Sequence, residues 1–238
     1  MYQNFAKLVE ELNRADISIV IMFDEFDLIT LNPNFDVEFY SWLRSLASHY
    51  KVAFLTSSLS QLHQLCASKK ISDSPFFNIF TAFHVGAFSR SEVETMVRGL
   101  LDLSLMEYSF DAWMDEIIAQ AGFIPFFIQI YCANLFDLFP TQPSASEVAE
   151  AFREEAKDHF EHIRRNLSPD ETECLQLIIA NKKIPAKLDA VLQLMIRKGY
   201  VLADNGNYRL FSAAFDSFYR QYSLSKTGKT FWSKLWKK

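Results

Sequence analysis

The strongest constraint on the fold is the stretch IVIMFDEFD at residues 19–27, in which five apolar residues are followed directly by acidic ones. A run this short and this rich in β-branched residues predicts a strand rather than a helix. The strand has no polar face, which is typical of parallel sheets that are covered on both faces. Open α/β sheets bind their ligands at the carboxyl ends of such strands. The stretch therefore predicts an α/β fold in which Asp24 and Glu25 face a crevice.

The following segments continue this pattern as far as residue 88. A helix is predicted over FDVEFYSWLRSLASHY (35–50), and a second strand over KVAFLTSS (51–58). A further helix over SLSQLHQLCAS (58–68) and a loop lead to a third predicted strand, TAFHVGAF (81–88). Strands that alternate with helices predict a parallel sheet with flanking helices.

After residue 88 the pattern is helical. Ser89 and Glu92 form a capping-box signature that predicts a helix start. Gly122 is placed to end the next helix in a left-handed conformation, and Pro125 to begin another. The apolar stretch 123–139 is short for a bilayer span and contains polar residues, so a buried helix is predicted there. The longest predicted helix follows, starting at Ser144 or Ser146.

Residues 167–222 have a third pattern. Two predicted helices lead into a hairpin centred on Asn205-Gly206, and a closing helix follows. This order is the layout of a winged helix.

The composition limits the class of protein. Of 238 residues, 50% are hydrophobic, and the net charge is -5, as in a soluble globular protein of one or two domains. Mild acidity argues against nucleic-acid binding through bulk charge. Cys66, Cys132 and Cys174 lie far apart, which favours a reducing compartment over disulfides or a zinc site. The chain opens without a signal-peptide pattern, so a cytoplasmic location is expected.

The acidic strand end has a chemical interpretation. Asp24 can hold Mg²⁺ through water, since this hard cation prefers oxygen ligands and keeps most of its hydration. Glu25 can orient or deprotonate a water that attacks a terminal phosphate. Thr56 and Ser57 end the neighbouring strand, where a hydroxyl can sense that phosphate. The alternative is structural, because all four residues also suit loops and helix caps.

Together these segments resemble the later part of the STAND ATPases, which are related to AAA+ proteins, and in particular the archaeal-type and bacterial AAA-like proteins. The resemblance rests on IVIMFDEFD, FLTSS, HVGAFSRSEVETMVRGLL, AGFIPFFIQIYC and the winged-helix layout, and it covers residues 16–222. It implies ATP and Mg²⁺ as cofactors. It also implies roles for six residues: metal binding for Asp24, catalysis for Glu25, phosphate sensing for Thr56 and Ser57, and nucleotide contact from a lid for Gly122 and Pro125.

The resemblance also implies a domain division. Residues 1–88 would be a partial ATPase core. Its Walker B strand would be the one that ends in Asp24 and Glu25, and its sensor 1 strand the one that ends in Thr56 and Ser57. Residues 89–166 would form a helical lid, 167–222 a winged helix, and 223–238 a basic, Trp-containing tail or linker. Two positions depart from the family pattern. Ser58 stands where an arginine often follows the sensor pair, and Phe123 stands where the lid motif usually has glycine.

The chain contains no P-loop, G-x-x-x-x-G-K-[ST], whose backbone N–H groups wrap the phosphates. Residues 227–230, TGKT, imitate its end, but Ser223 occupies the position of the first glycine. A fragment that lacks its P-loop strand is the favoured explanation, and a complete chain that has lost nucleotide binding is the alternative. This chain alone is expected not to hydrolyse ATP.

The expected function of the intact protein is a nucleotide-dependent switch in signal transduction, with protein partners or fused effector domains and a possible homo-oligomer. One alternative is an origin-recognition-like DNA-binding ATPase, whose winged helix would use Lys187, Arg197, Lys198 and Arg209. A non-catalytic interaction scaffold is another. The tail, with lysines around Trp232 and Trp236, could also contact a membrane surface or lead into a further domain.

Overall fold

The structure, a computed structural model, describes residues 2–58, 65, 75–104, 107–204 and 206–222. The predicted helix over 58–68, with Cys66, lies almost wholly outside the described residues, as do Asn205 and the tail 223–238. The chain divides into two units, Met1–His84 and Val85–Lys238. The finer division into lid and winged helix remains a prediction.

The first unit contains helices around a small parallel sheet. Its elements are α1 (Tyr2–Arg14), β1 (Ile19–Phe23), α2 (Phe26–Leu31), α3 (Val37–His49), β2 (Val52–Thr56) and a 3₁₀ turn (Pro75–Ile79). The strands β1 and β2 are parallel neighbours, with Phe23 opposite Thr56 in register. Both predicted strands and the helix over 35–50 are confirmed, whereas the short helix α2 was not predicted.

Aromatic side chains build the core of this unit. Phe26 and Tyr40 are fully buried, and the ring of Phe26 lies 6.4 Å from that of Tyr40 and 6.3 Å from that of Phe76. Phe23 and Phe54, one from each strand, pack against this cluster. The aromatic cluster therefore covers one face of the sheet.

Among the described residues, the other face of the sheet is open. Val20 lies opposite Ala53 and Met22 opposite Leu55, so the four side chains share one face. All four are exposed, and Met22 is 72% exposed. The expectation of a sheet covered on both faces is therefore wrong for the described residues. The apolar run identified a strand correctly, but α2, α3 and the 3₁₀ turn supply core side chains to one face only.

The third predicted strand is also wrong. Residues 80–89 are irregular, and Phe83 and Val85 are 88% and 92% exposed. Among the described residues, the sheet that contains β1 has two strands. The sequence 81–88 has the composition of a strand, but a strand also requires a neighbouring strand to pair its backbone N–H and C=O groups.

The second unit is almost entirely helical. Its elements are α4 (Arg90–Asp102), a 3₁₀ turn (Asp111–Trp113), α5 (Met114–Ala121), α6 (Pro125–Leu138), a 3₁₀ turn (Phe139–Thr141), α7 (Ala145–Arg165), α8 (Pro169–Ile179), a 3₁₀ turn (Ala186–Leu188), α9 (Asp189–Arg197), β3 (Val201–Asp204), β4 (Asn207–Leu210) and a helix over 213–222, named α10. The strands β3 and β4 form the predicted antiparallel hairpin. The predicted order of two helices, a hairpin and a closing helix is therefore confirmed.

Capping boxes start three helices of this unit. The predicted pair Ser89 and Glu92 caps α4, and Ser144, rather than Ser146, caps α7 together with Glu147. Ser168 caps α8 in the same way. Each box pairs backbone N–H groups that a helix start leaves without intrahelical partners.

The apolar helix α6 lies in the core, as predicted, with six of its side chains buried. Among the described helices, none is both long and apolar enough to cross a bilayer. Cys132 in α6 and Cys174 in α8 are buried free thiols. One continuous hydrophobic core runs from Val93 in α4 to Tyr219 in α10.

Candidate functional site

The carboxyl ends of β1 and β2 are held together beyond the last paired residues. The backbone N–H of Ser57 donates to the carbonyl oxygen of Phe23 at 2.9 Å, and the N–H of Phe26 donates to the carbonyl oxygen of Ser57 at 2.9 Å. This pairing brings Asp24 and Ser57 side by side at the sheet edge. The sequence predicted this edge from the order of strand and helix.

Asp24 is oriented by two donors. Its Oδ1 accepts a hydrogen bond from the Ser57 hydroxyl and another from the backbone N–H of Glu25, at 3.0 Å. The same N–H also approaches Ser57 Oγ, at 3.2 Å. Within the described part of the chain, Oδ2 of Asp24 accepts no hydrogen bond. One carboxylate oxygen is therefore fixed and the other is available to a ligand.

Glu25 has an unusual backbone. Its φ of 50° and ψ of 49° lie in the left-handed region, where non-glycine residues are uncommon. Glu25 directly precedes α2, yet its side chain makes no capping hydrogen bond. Its exposed carboxylate has no hydrogen-bond or ion-pair partner among the described residues. Sequence reasoning did not predict this conformation, because neither Asp-Glu nor Glu-Phe is a turn signal.

The neighbouring residue explains how this backbone is maintained. Phe26 is fully buried in the aromatic cluster, and burial of a phenylalanine contributes about 1.5–3 kcal/mol. A left-handed conformation costs a non-glycine residue roughly 1–2 kcal/mol. Burial of Phe26 therefore offsets the backbone cost at Glu25, whose carboxylate stays exposed at the sheet edge.

The two predicted sensor residues differ in position. Thr56 lies opposite Phe23 and is half-buried. It lies on the same face of β2 as Phe54, which packs against the aromatic cluster. Ser57 follows on the opposite side, where it contacts Asp24. Strand alternation explains the difference, since successive side chains point to opposite faces. The sequence alone did not show which face carries the site.

The residues present fit a hydrated Mg²⁺ ion but not a protein cage. In the described ranges, no group of three or more His, Cys, Asp or Glu side chains is placed to hold a metal ion. Magnesium usually takes one or two carboxylates, completing its shell with water and substrate phosphates. Asp24, with one oriented and one available oxygen, matches that requirement.

The predicted lid residues lie in the second unit. Gly122 ends α5 with φ 73° and ψ -145°, so φ is positive as predicted, but ψ lies outside the left-handed helical region. Pro125 is the first residue of α6, as predicted. A Cβ atom added to Gly122 would lie 2.4 Å from the carbonyl oxygen of Phe211. Gly122 therefore has a structural reason to be glycine, whatever its contact with a nucleotide.

Comparison with known proteins identifies a matching family. The family described as "Novel STAND NTPase 2" matches residues 7–183. Curated protein sequences gave no match.

Two solved structures have a similar fold. A Walker-type ATPase of Pyrococcus abyssi superposes with a TM-score of 0.58 and 18% identity, covering 90% of this chain. This chain spans only 65% of that protein. The ORC2 protein of Aeropyrum pernix, solved in ADPNP-ADP complexes, superposes with a TM-score of 0.57 and 16% identity, covering 93% of this chain and 69% of ORC2. At these identities the likeness shows a shared fold, mostly helical with a small parallel sheet, as in AAA+ ATPases.

The family match extends over most of the chain and includes both strands whose ends carry Asp24, Glu25 and Ser57. The similar folds of the two archaeal proteins agree with it. The chain therefore belongs to the family described as Novel STAND NTPase 2.

Proposed function

We propose that this chain carries the hydrolytic half of an ATP-dependent signalling switch. The observation that carries the proposal is the group formed by Asp24, Glu25 and Ser57 at the end of two parallel strands. Asp24 is oriented by hydrogen bonds, and Glu25 presents, from a strained backbone, a carboxylate with no partner among the described residues. Strain of this kind often accompanies function.

Each residue has a distinct role in the proposed reaction. Asp24 holds the hydrated Mg²⁺, which when bound neutralises charge on the phosphates. Glu25 orients a water and accepts its proton as the water oxygen bonds to the terminal phosphorus and the bond to the leaving phosphate breaks. Ser57 fixes Asp24 and senses the terminal phosphate. Thr56, on the packed side of β2, supports the same strand end.

The phosphate cradle is proposed to come from additional chain. The open apolar face of the sheet supports this, because Val20, Met22 and Leu55 are large side chains that a complete core would cover. A segment that carries a P-loop would cover this face and bring the loop to the strand ends. The chain by itself is proposed to be inactive.

In the second unit, we assign residues 89–166 as the helical lid and 167–222 as a winged helix. Pro125, the first residue of α6, would contact the nucleotide, and Gly122, which is buried against Phe211, would fix the backbone of the preceding loop. ATP binding and slow hydrolysis would then bias the position of these helices, and protein partners or fused effector domains would respond in the cytoplasm. Homo-oligomers are consistent with such a switch.

The test is ATP turnover by the full product of the gene and by this chain alone. In the full product, Glu25→Gln is expected to keep ATP binding and to lower turnover by about 10²–10⁴-fold, since a general base is removed. Glu38→Gln, an exposed acid on α3, is the matched control and should retain turnover. Unchanged turnover in Glu25→Gln would contradict the assigned role. Rapid turnover by this chain alone, abolished by Glu25→Gln, would show that no further segment is needed.

A DNA-binding function is the second candidate, favoured by the fold likeness to an ORC2 protein. Two of its proposed basic residues are already paired within the chain. Lys187 lies 3.0 Å from Glu173, and Lys198 lies 2.8 Å from Glu171. Salt-dependent binding of duplex DNA that weakens in Lys187→Glu and Arg197→Glu would establish this alternative.

A further inference from the structure

Three separate segments meet at one point of the second unit. The segment before α4 contributes Ala87 and Phe88, the loop before α6 contributes Gly122 and Phe123, and the region around the hairpin contributes Gly199 and Phe211. We call these six residues the glycine junction. One hydrogen bond, at 2.8 Å, runs from the N–H of Phe88 to the carbonyl oxygen of Phe123.

Two glycines allow the close approach. A Cβ atom on Gly122 would lie 2.4 Å from the oxygen of Phe211 and 2.9 Å from its ring, and a Cβ on Gly199 would lie 2.8 Å from that of Ala87. Both glycines also have positive φ, 73° and 74°. A side chain at either position is therefore excluded for two reasons, the backbone conformation and the lack of space.

Phe211 lies at the centre of these contacts. It is fully buried, and its ring stacks on Phe127 of α6 at 5.4 Å and on Phe215 of α10 at 4.9 Å. Its backbone N–H donates to the oxygen of Tyr200 at 3.1 Å, next to Gly199. Phe211 thus contacts the start of α6 and the closing helix through its ring, and the hairpin base through its backbone.

We propose that the glycine junction locks the loop 122–125 and the hairpin β3–β4 into one rigid body. Interiors packed this closely transmit displacement rather than absorb it. A displacement of the loop would therefore move the hairpin with it. The rigid coupling is independent of nucleotide chemistry, whereas its use in signalling rests on the proposed function. The loop 122–125 and the hairpin β3–β4 would then keep the same relative position in both states of the proposed switch.

Hydrogen exchange of the full chain without nucleotide tests this coupling, with Gly122→Ala compared with Gly206→Ala. Gly206 has a positive φ of 82° and no atom within 4 Å of an added Cβ, so its substitution introduces the backbone strain without the collision. In Gly122→Ala, amides of α6 and of β3–β4 should both exchange faster, by a common factor of about ten or more. In Gly206→Ala, the increase should stay within the hairpin. Amides of α3 in the first unit serve as the internal reference.

An increase in Gly122→Ala that stays within residues 121–125 would overturn the proposal, as would a Gly206→Ala effect that reaches α6 equally. If Gly122→Ala does not fold, the same hydrogen-exchange measurement is made on Phe211→Leu. This variant keeps an apolar side chain but removes the ring from Phe127, and α6 and the hairpin should again exchange faster together. Independent responses of the two parts would overturn the coupling. The result does not depend on ATPase activity, so failure of the proposed function and failure of the coupling are distinguishable.

Discussion

Ser57 donates a hydrogen bond from its hydroxyl to Asp24 Oδ1, across 33 positions of sequence. The contact joins the ends of two parallel strands, and within the described ranges it leaves Oδ2 of Asp24 available to a ligand. A carboxylate that is already oriented loses less conformational entropy when it binds a hydrated ion. The contact also ties the orientation of the acid to the end of the neighbouring strand.

Ser57→Ala should impair the site more than it destabilises the fold. It removes the donor that orients Asp24 and an acceptor for the Glu25 N–H. Loss of such supporting partners lowers metal affinity or activity by about 10- to 100-fold. Mg²⁺-dependent ATP turnover of the full gene product would measure this. Ser45→Ala, an exposed serine on α3, is the control and should have no effect, while equal effects of the two variants would refute the assigned role.

Tyr131→Phe should stabilise the second unit. The Tyr131 hydroxyl is buried in α6, with no hydrogen-bond partner in the described part of the chain, and burial raises the pKa of this phenol. Because an unpaired buried hydroxyl costs about 1–3 kcal/mol, its removal should raise the free energy of unfolding by about 1 kcal/mol. That corresponds to roughly 2–4 °C in Tm for a unit of this size.

The matched control is Tyr219→Phe in the same core. The hydroxyl of Tyr219 is hydrogen-bonded to Thr172, so this variant should lower Tm. Calorimetry of the full chain would compare the two. A decrease in Tm for Tyr131→Phe would indicate a hydrogen bond or buried water at that hydroxyl.

Lys198→Met should destabilise the second unit. Glu171 is almost fully buried, and its Oε1 lies 2.8 Å from Lys198 Nζ. Although burial raises the pKa of Glu171, the hydrogen bonds from Lys198 and Ser168 outweigh it and lower the pKa overall. Without the lysine, a buried carboxylate loses its charged partner, at a cost of about 1–2 kcal/mol given the partial exposure of Lys198.

Lys187→Met provides the comparison for that measurement. Its ion pair with Glu173 is 3.0 Å long but largely exposed, so its loss should change stability by less than about 0.5 kcal/mol. Urea unfolding of both variants at neutral pH would show the difference. Equal destabilisation would mean that burial does not distinguish the two pairs.

Glu161 should make the second unit sensitive to acid. Arg164 donates to both of its oxygens, at 2.6 and 2.5 Å, and Arg165 donates at 2.9 Å. These hydrogen bonds, chiefly those of Arg164, lower the pKa of Glu161 from 4.5 to about 2. A lowered folded-state pKa means that the stabilisation is complete above pH 4.5 and is lost as pH falls toward 2.

Glu161→Gln should therefore lower stability at neutral pH and flatten its decline in acid. Urea midpoints measured from pH 6 down to the acid limit of folding would detect both changes. Glu154→Gln, an exposed acid of the same helix, is the control. An acid decline in Glu161→Gln as steep as in the parent chain would assign the sensitivity to other carboxylates.

Local signals were read correctly from the sequence. The apolar run ending at Phe23 predicted a strand, and the Ser-to-Glu spacing at Ser89 predicted a capped helix, because each pattern contains its whole physical cause within a few residues. The site edge followed in the same way, since Asp24 and Ser57 each come directly after a strand.

Features that depend on distant partners were not predictable. The strand pattern at 81–88 does not show whether a neighbouring strand is present to pair with it. The alternation in β2 does not reveal which face is packed, so Thr56 and Ser57 could not be separated. The reason for glycine at position 122 lies 89 residues away in Phe211, and no local pattern contains it.

The left-handed backbone at Glu25 lowers the stability of the fold at the position that carries the proposed catalytic carboxylate. Asparagine and glycine tolerate its left-handed conformation better than glutamate does. A variant with asparagine there would relieve the strain, and the chain would fold more stably while losing the carboxylate. Screens that select this protein for heat resistance alone should therefore recover substitutions at position 25, and each would remove the carboxylate that we propose for catalysis.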